Sequence, residues 1–292
     1  MSFTSTTAEP TAEQIENPSR ELFSFSPNPE HTGETVVFLH GLISSHFEFA
    51  DVYPHLQDDY HILLVDLPGH SRSKHVLGPY TCKSAAEHVE RIIKKDAHQG
   101  RAHIVGLSMG GFVGLQLTAL APERVLTLFV TGASPFDGWI RFLAKQTWLI
   151  YVVSCISAKL IPVWLYDKTC DWVGMKRHPE LREEMAGNGQ SYSSLREIYS
   201  SLLEFNMATI AGIAKTGRRI ATIAGGKFDN VKATQAMGAV LRSGGSPQSQ
   251  AFVVRKALHA WDLQYPQLFA AGIRAWIEGK EMPAEYEPLP NV

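Results

Sequence analysis

Short apolar runs alternate with helix-like segments along most of this chain, and this alternation constrains the fold more than any other feature. The runs occupy residues 35–39, 62–65, 102–105, 125–130, 220–224 and 251–254. Continuous runs rich in β-branched residues suit strands that are covered on both faces, as in a parallel sheet. Helical patterns at 81–93, 109–121, 231–241 and 266–277 fill the intervals. The sequence therefore predicts an α/β fold with a mostly parallel, doubly wound sheet.

One interval, residues 134–216, interrupts this rhythm because it contains no clear strand pattern. Its longest uncharged run covers 146–158, 13 residues, whereas a helix needs about 20 apolar residues to cross a bilayer. We expect a helical cap here, inserted after the strand that ends near Thr131. The core would then comprise residues 34–133 and 217–280, preceded by a flexible lead-in at 1–33 and followed by a C-terminal tail at 281–292.

Composition excludes several classes of function. The formal net charge is −2 over 292 residues, without a long run of one sign, which argues against nucleic-acid binding. The first residues lack the basic start and apolar core of a secretory signal, so we expect a cytoplasmic protein. The three cysteines, Cys82, Cys155 and Cys170, are scattered and are interpreted as reduced structural thiols. The sequence predicts neither a metal site nor a cofactor.

A G-x-S-x-G segment at Gly106–Gly110 follows the third apolar run and precedes a helical pattern. Strand, sharp turn and helix is the context of a nucleophile elbow, in which the turn exposes the serine hydroxyl above the sheet. The first helical N–H groups then point to the same place. Ser108 is therefore the candidate nucleophile.

A serine nucleophile needs a histidine base, which in turn is oriented by a carboxylate. Asp229 follows the fifth apolar run and His259 follows the sixth, so both should reach the same sheet edge as Ser108. Asp137, which follows the fourth run, is an alternative carboxylate for this role. The chain order Ser, Asp, His is the order typical of an elbow-containing hydrolase.

Four segments resemble motifs of the α/β-hydrolase superfamily, and the resemblance covers the chain from about Thr35 to Ile277. They are His40–Gly41, the D-x-P-G-type loop 66–73, the elbow 106–111, and the stretch His259–Pro266. Ser71 and Leu258 stand where that family usually has glycine. Neither departure removes a functional side chain.

The resemblance implies a role for each matching position. Ser108 would attack the substrate, His259 would act as general base and then acid, and Asp229 would orient the imidazole. The backbone N–H groups of Leu42 and Met109 would form the oxyanion hole.

The cap region is rich in large apolar residues, which favours a lipophilic or aromatic small-molecule substrate. Trp139, Phe142, Trp164 and, outside the cap, Trp261 are the predicted pocket residues. We expect a capped serine hydrolase that cleaves an ester, thioester or lactone through an acyl-enzyme. C–C bond hydrolysis, biosynthetic release or cyclisation with the same triad, and non-catalytic ligand binding remain alternatives. The cap could also make weak contact with a membrane surface, and the sequence leaves the oligomeric state open.

Overall fold

One mixed sheet forms the centre of the molecule. The computed structural model describes residues 21–160 and 163–290, and within them the sheet has eight strands in the order β1-β3-β2-β4-β5-β6-β7-β8. The strands are β1 (Ser24–Phe25), β2 (Thr35–Leu39), β3 (His61–Val65), β4 (Ala102–Leu107), β5 (Val125–Thr131), β6 (Arg219–Gly225), β7 (Gln250–Val254) and β8 (Glu287–Pro288). All pairs from β3 to β7 are parallel, whereas β1 and β8 pair antiparallel at the two edges. The predicted α/β class and mostly parallel sheet are confirmed.

Helices cover both faces of the sheet. They are α1 (Cys82–Asp96), α2 (Met109–Leu120), α3 (Gly138–Ala144), α4 (Thr147–Leu160), α5 (Val163–Val173), α6 (Pro179–Gly187), α7 (Tyr192–Glu204), α8 (Met207–Ala214), α9 (Val231–Ser243) and α10 (Pro266–Glu278). Residues of β2 alternate between two apolar cores: Val37 and Leu39 pack on the face that carries α1 and α2, and Phe38 packs towards α10. This alternation explains why the strands read as continuous apolar runs.

The strand order reverses between β2 and β4, which lie side by side although β3 separates them in the chain. The loop after β2 and the turn after β4 therefore leave neighbouring strand ends in different directions. Ligands of open α/β sheets bind at the carboxyl ends of the strands, at such a switch point. The loops after β6 and β7 end at the same edge.

Helix α2 approaches the sheet so closely that a side chain is excluded at Gly110. A Cβ built there would lie 2.0 Å from the carbonyl oxygen of Leu39, at the end of β2. Glycine is thus required by backbone contact between the first turn of α2 and the neighbouring strand.

Helices α3 to α8 occupy the interval predicted as a cap. Polar side chains tie this interval to the core: Gln190 Nε2 donates to the Gly69 oxygen at 3.0 Å, and Gln264 Nε2 donates to the Val173 oxygen at 2.6 Å. Among the described residues, no helix combines the length and apolar character needed to cross a membrane.

Both termini of the described chain join the sheet. Strand β1 lies in the predicted lead-in, whose residues 1–20 are outside the described part of the chain. Strand β8 lies in the predicted tail. Tyr286, just before β8, is 2% exposed, and its hydroxyl donates to the Leu268 oxygen at 3.1 Å. The segment 281–290 is therefore anchored to the core through a buried tyrosine.

We predict that Gly110→Ala destabilises the protein by about 3 kcal/mol, the upper end of typical overpacking costs, because the added methyl group overlaps strand backbone that cannot move independently. The free energy of unfolding, measured in urea, tests this. Gly212→Ala is the matched control, since Gly212 is also helical but nothing lies within 4 Å of its added Cβ. That change should leave stability unchanged or raise it by up to about 1 kcal/mol. Equal effects at the two positions would contradict the prediction.

Candidate active site

Ser108 occupies the turn between β4 and α2 in a strained conformation. Its φ is 53° and its ψ is −118°, a region that non-glycine residues rarely adopt and that costs on the order of 1–3 kcal/mol. The surroundings enforce it: Ser108 N–H donates to the Thr131 oxygen at 2.8 Å, and Phe112 N–H donates to the Ser108 oxygen at 3.2 Å. The hydroxyl consequently lies beside the N-terminus of α2, at the sheet edge.

Asp229 and His259 meet at this edge, although 30 positions separate them in sequence. Asp229 Oδ1 lies 2.6 Å from His259 Nδ1, and Asp229 Oδ2 accepts from Gly225 N–H at 2.7 Å. The Asp229 side chain is 7% exposed, whereas the His259 side chain is 44% exposed. Asp229 is therefore fixed by the end of β6 and presents one oxygen to a ring that solvent and ligands can reach.

This contact determines the protonation of the imidazole. Because a carboxylate only accepts, Nδ1 must carry the proton, which leaves the lone pair on Nε2. Partial burial lowers the pKa of His259, but the hydrogen bond and charge of Asp229, with the charge of Glu48, outweigh it and raise the pKa above 6.5. The ring is thus a stronger base than an ordinary histidine.

The imidazole packs against Gly132, the residue after β5. A Cβ at Gly132 would lie 2.5 Å from His259 Cε1, and the preceding residue, Thr131, accepts the Ser108 amide. The ring and Ser108 therefore flank the same strand end. Within the described residues, the Ser108 hydroxyl makes no hydrogen bond to the imidazole, and such catalytic hydrogen bonds often tighten only when substrate binds.

The loop after β2 lies on the other side of Ser108, since a Cβ at Gly41 would be 3.6 Å from Ser108 Cβ. Gly41 N–H donates to Glu48 Oε2 at 2.7 Å. Ile43 has a positive φ of 61°, which is an outlier for a β-branched residue. The Asn188 side chain donates to the oxygens of Ile43 and Ser44 at 3.3 and 2.8 Å. Leu42, between these anchors, is half-buried.

Met109 supplies the second predicted amide. It is the first residue of α2, and the first amides of a helix have no intrahelical acceptor. The Met109 N–H group is therefore free to bind an anion in front of Ser108.

His40 holds the start of the same loop rather than offering a reactive ring. Its Nε2 accepts from Leu67 N–H at 3.0 Å, so Nδ1 carries the proton and donates to the Gly41 oxygen at 2.7 Å. Burial lowers the pKa of His40. The neutral ring joins the ends of β2 and β3.

Two further carboxyls are buried near the imidazole. Glu48 is 5% exposed and Asp262 is fully buried. Burial, partly offset by the Gly41 N–H group, raises the pKa of Glu48 to about 7. Burial and the neighbouring charge of Glu48 raise the pKa of Asp262 well above its ordinary value. Glu48 is therefore a second carboxyl, besides Asp229, whose charge acts on His259.

The predicted pocket residues do not form one enclosed wall. Trp139, Phe142 and Trp164 are 69, 51 and 59% exposed, and Trp139 stacks on Phe142 with ring centroids 5.0 Å apart. These three side chains face outwards on α3 and α5.

The prediction that Trp261 lines the pocket is wrong. Its side chain is completely buried in the core beneath α10, with its ring centroid 4.6 Å from that of Phe269. The indole N–H donates to Thr131 Oγ1 at 2.8 Å. Trp261 therefore braces the strand end that carries the imidazole, instead of contacting a ligand.

A small apolar cavity of about 20 Å³ lies beside the Ser108 turn. Its wall includes Met109 and Val113 of α2, Leu67 and Tyr80 from the loops near β3, and Ile198 of α7. The cavity has room for roughly one water molecule. Met109, whose amide is a predicted anion donor, therefore forms part of the cavity wall.

Asp137, the alternative carboxylate, lies elsewhere at the surface. Its Oδ1 accepts from Asn230 Nδ2 at 2.7 Å, and its side chain is exposed. Among the described residues, Asp137 is hydrogen-bonded to Asn230 in the loop after β6, and not to the His259 imidazole. The geometry therefore favours Asp229.

Sequence reasoning missed Glu48, Asn188 and Asp262. Asp262 lies within the His259–Pro266 stretch, so its position was visible, but nothing in the pattern indicated burial. Glu48 and Asn188 carry no motif, and their roles depend on where the loop after β2 and the end of α6 meet. No group of three or more potential metal-binding side chains occurs in the part of the chain that the structure describes.

Comparison with known sequences places this geometry in context. The family described as alpha/beta hydrolase fold matches residues 34–149. An AB hydrolase superfamily protein of Gibberella zeae is 27% identical over 272 residues, 92% of this chain and 88% of the relative. A pimeloyl-[acyl-carrier protein] methyl ester esterase of Aeromonas hydrophila is 32% identical over 118 residues, 40% of this chain and 42% of that protein.

Solved structures show the same architecture. A thermophilic esterase from Thermogutta terrifontis superimposes with a TM-score of 0.62 at 19% identity, covering 88% of this chain and 93% of that one. At this identity the likeness shows the fold alone.

We predict that Asp229→Asn lowers the pKa of His259, because burial then acts without the opposing carboxylate. NMR titration of the histidine Cε1–H signal that is lost in His259→Gln measures this pKa. Asp137→Asn is the matched control and should leave the titration unchanged. A shift produced by Asp137→Asn and not by Asp229→Asn would identify Asp137 as the partner carboxylate.

Proposed function

Because the chain belongs to the α/β-hydrolase superfamily, we propose that it is a serine hydrolase acting on an ester, thioester or lactone. The observation that carries this proposal is the Asp229–His259 pair, which lies at the same strand edge as the strained Ser108 turn. The similarity to a methyl ester esterase supports an ester substrate. The reaction is acyl transfer to Ser108 followed by hydrolysis of the acyl-enzyme.

In the proposed first step, His259 Nε2 takes the proton of the Ser108 hydroxyl as its oxygen attacks the substrate carbonyl. The imidazolium that forms is stabilised by Asp229, whose oxygen already lies 2.6 Å from Nδ1. The same imidazolium then donates its Nε2 proton to the leaving group. Water, deprotonated by His259, attacks the acyl-enzyme in the second half of the reaction.

Negative charge develops on the substrate oxygen during both attacks. The N–H groups of Leu42 and Met109 are the proposed donors for it, and loss of one such donor typically lowers kcat by about 10²–10³. The anchoring of the loop after β2 by Glu48 and Asn188 supports this assignment, because preorganised donors need no rearrangement during the reaction.

The proposed substrate is lipophilic or aromatic. The apolar wall beside Met109 supports this, since an acyl group bonded to Ser108 would enter the cavity next to the donor amides. The cavity of about 20 Å³ accommodates only the start of such a group in the structure described. A longer substrate therefore requires displacement of Tyr80 or α7.

A fluorophosphonate probe tests the proposed activity, because it labels only an activated serine. We expect one adduct on the wild-type chain by intact mass, no adduct on Ser108→Ala, and loss of ester turnover in that variant. Ser154→Ala, which changes an exposed serine on α4, is the matched control and should label like wild type. Labelling that survives in Ser108→Ala, or an unlabelled but folded wild-type protein, would contradict the proposal.

A further inference from the structure

An unusual concentration of apolar side chains is exposed on α3, α4 and α5. Of the 17 exposed large hydrophobic residues in the described chain, 11 lie between Gly138 and Val173. The most exposed are Trp172 at 86%, Trp139 at 69% and Trp148 at 58%. We call the exposed apolar side chains of α3, α4 and α5 the apolar cap face; large exposed apolar patches mark interaction sites.

On α4, four large apolar side chains are exposed. Tyr151 of the same helix packs edge-on against Tyr192 of α7, with ring centroids 5.7 Å apart. Trp148 and Val152, one turn apart, are exposed together with Leu149 and Val153. Helix α4 therefore exposes apolar side chains on two successive turns.

The segment that carries this face has an excess of basic residues. By sequence, residues 138–173 contain Arg141, Lys145, Lys159 and Lys168 against Asp167 and Asp171, a formal charge of +2, although the whole chain has a net charge of −2. Both aspartates are paired with Arg177. Lys168 lies over the Trp164 ring at 5.5 Å, so apolar and basic groups alternate on the surface. This combination matches a partner that is both apolar and negatively charged.

We propose that the apolar cap face docks onto a lipid surface that carries anionic headgroups. Tryptophan side chains suit the boundary between acyl chains and headgroups, and basic side chains beside them would contact lipid phosphates. A second copy of the chain fits less well, because a symmetric contact would bring together two segments that carry the same positive charge.

Flotation of the full chain with phosphatidylcholine vesicles, with and without phosphatidylserine, tests this docking. We expect binding to the phosphatidylserine vesicles that weakens as salt is added. Trp148→Ser with Val152→Ser should reduce that binding about tenfold or more. Phe228→Ser is the matched control, because Phe228 is 73% exposed outside this surface, and it should bind like wild type.

Arg141→Gln with Lys145→Gln should weaken binding to phosphatidylserine vesicles and reduce its salt dependence. Thermal melting establishes that each variant is folded. Absence of vesicle binding, or equal binding by wild type and the Trp148/Val152 variant, would overturn the proposal. A dimer in light scattering that Trp148→Ser abolishes would also overturn it and assign the surface to a second copy.

A separate observation concerns Glu48, which sequence reasoning did not single out. Its buried carboxylate accepts the Gly41 N–H group at 2.7 Å, and Gly41 directly precedes Leu42, the proposed anion donor. This bond restricts rotation of the His40–Gly41 peptide, and it is strongest when Glu48 is ionised, because hydrogen bonds to charged groups are the strong ones. Glu48 also lies within electrostatic reach of His259 and Asp262.

We infer that Glu48 is a positioning residue, which fixes the His40–Gly41 peptide. It thereby holds the start of the loop in which the next peptide, whose carbonyl oxygen accepts from His40 Nδ1 at 2.7 Å, presents the Leu42 N–H group to the reacting oxygen. This inference rests on the proposed hydrolase function. It predicts that kcat depends more on a hydrogen-bond acceptor at position 48 than on a negative charge there, since the bond to Gly41 N–H orients the loop.

Glu48→Gln and Glu48→Ala separate these contributions. We expect Glu48→Ala to lower kcat for an ester about tenfold or more while KM changes by less than about threefold, because the lost interaction acts in the transition state. Glu48→Gln should recover most of kcat, since its amide oxygen can accept the same N–H. Both variants should lower the pKa of His259 in the NMR titration, because the neighbouring charge is gone.

Equal kcat for wild type and Glu48→Ala would overturn this inference, and so would a folded Glu48→Gln as inactive as Glu48→Ala. Fluorophosphonate labelling distinguishes a failure of the Glu48 inference from a failure of the proposed hydrolase function. If the wild type is labelled and Glu48→Ala keeps the wild-type kcat, only the role of Glu48 is refuted. An unlabelled wild type refutes the hydrolase function itself.

Discussion

The contact between the first turn of α2 and the end of β2 determines the geometry of the whole site. Gly110 brings the helix backbone against the Leu39 carbonyl, so the turn that carries Ser108 lies directly beside the loop that carries Leu42. Without this approach, the two proposed anion donors would belong to separate parts of the sheet edge. The strain at Ser108 is tolerated because its amide is held by β5, and the strain at Ile43 because its carbonyl is held by Asn188.

Much of this arrangement could be predicted because it is encoded locally. Continuous apolar runs located the six parallel strands, and the residues that follow β4, β6 and β7 supplied Ser108, Asp229 and His259. Position at a strand end is enough to bring such residues to one edge. What the structure adds for them is the observed contact between Asp229 and His259.

Other features depend on contacts that no local pattern contains. Trp261 looked like a pocket residue beside His259, but the turn directs its indole inward to Thr131. Strand β8 is two residues long and next to prolines, so it has no hydrophobic periodicity, and it is held instead by Tyr286. Glu48 and Asp262 are ordinary acidic residues in sequence, and only their complete enclosure makes them unusual.

Asn188 connects three parts of the molecule through one amide group. Its Nδ2 binds the carbonyls of Ile43 and Ser44, while its Oδ1 accepts from Ser71 N–H at 2.7 Å. Because Asn188 follows α6, a rigid shift of that helix away from the sheet breaks all three bonds together. The position of α6 and the conformation of the loop beside Leu42 are therefore coupled through one side chain, so that neither changes without breaking hydrogen bonds to the other.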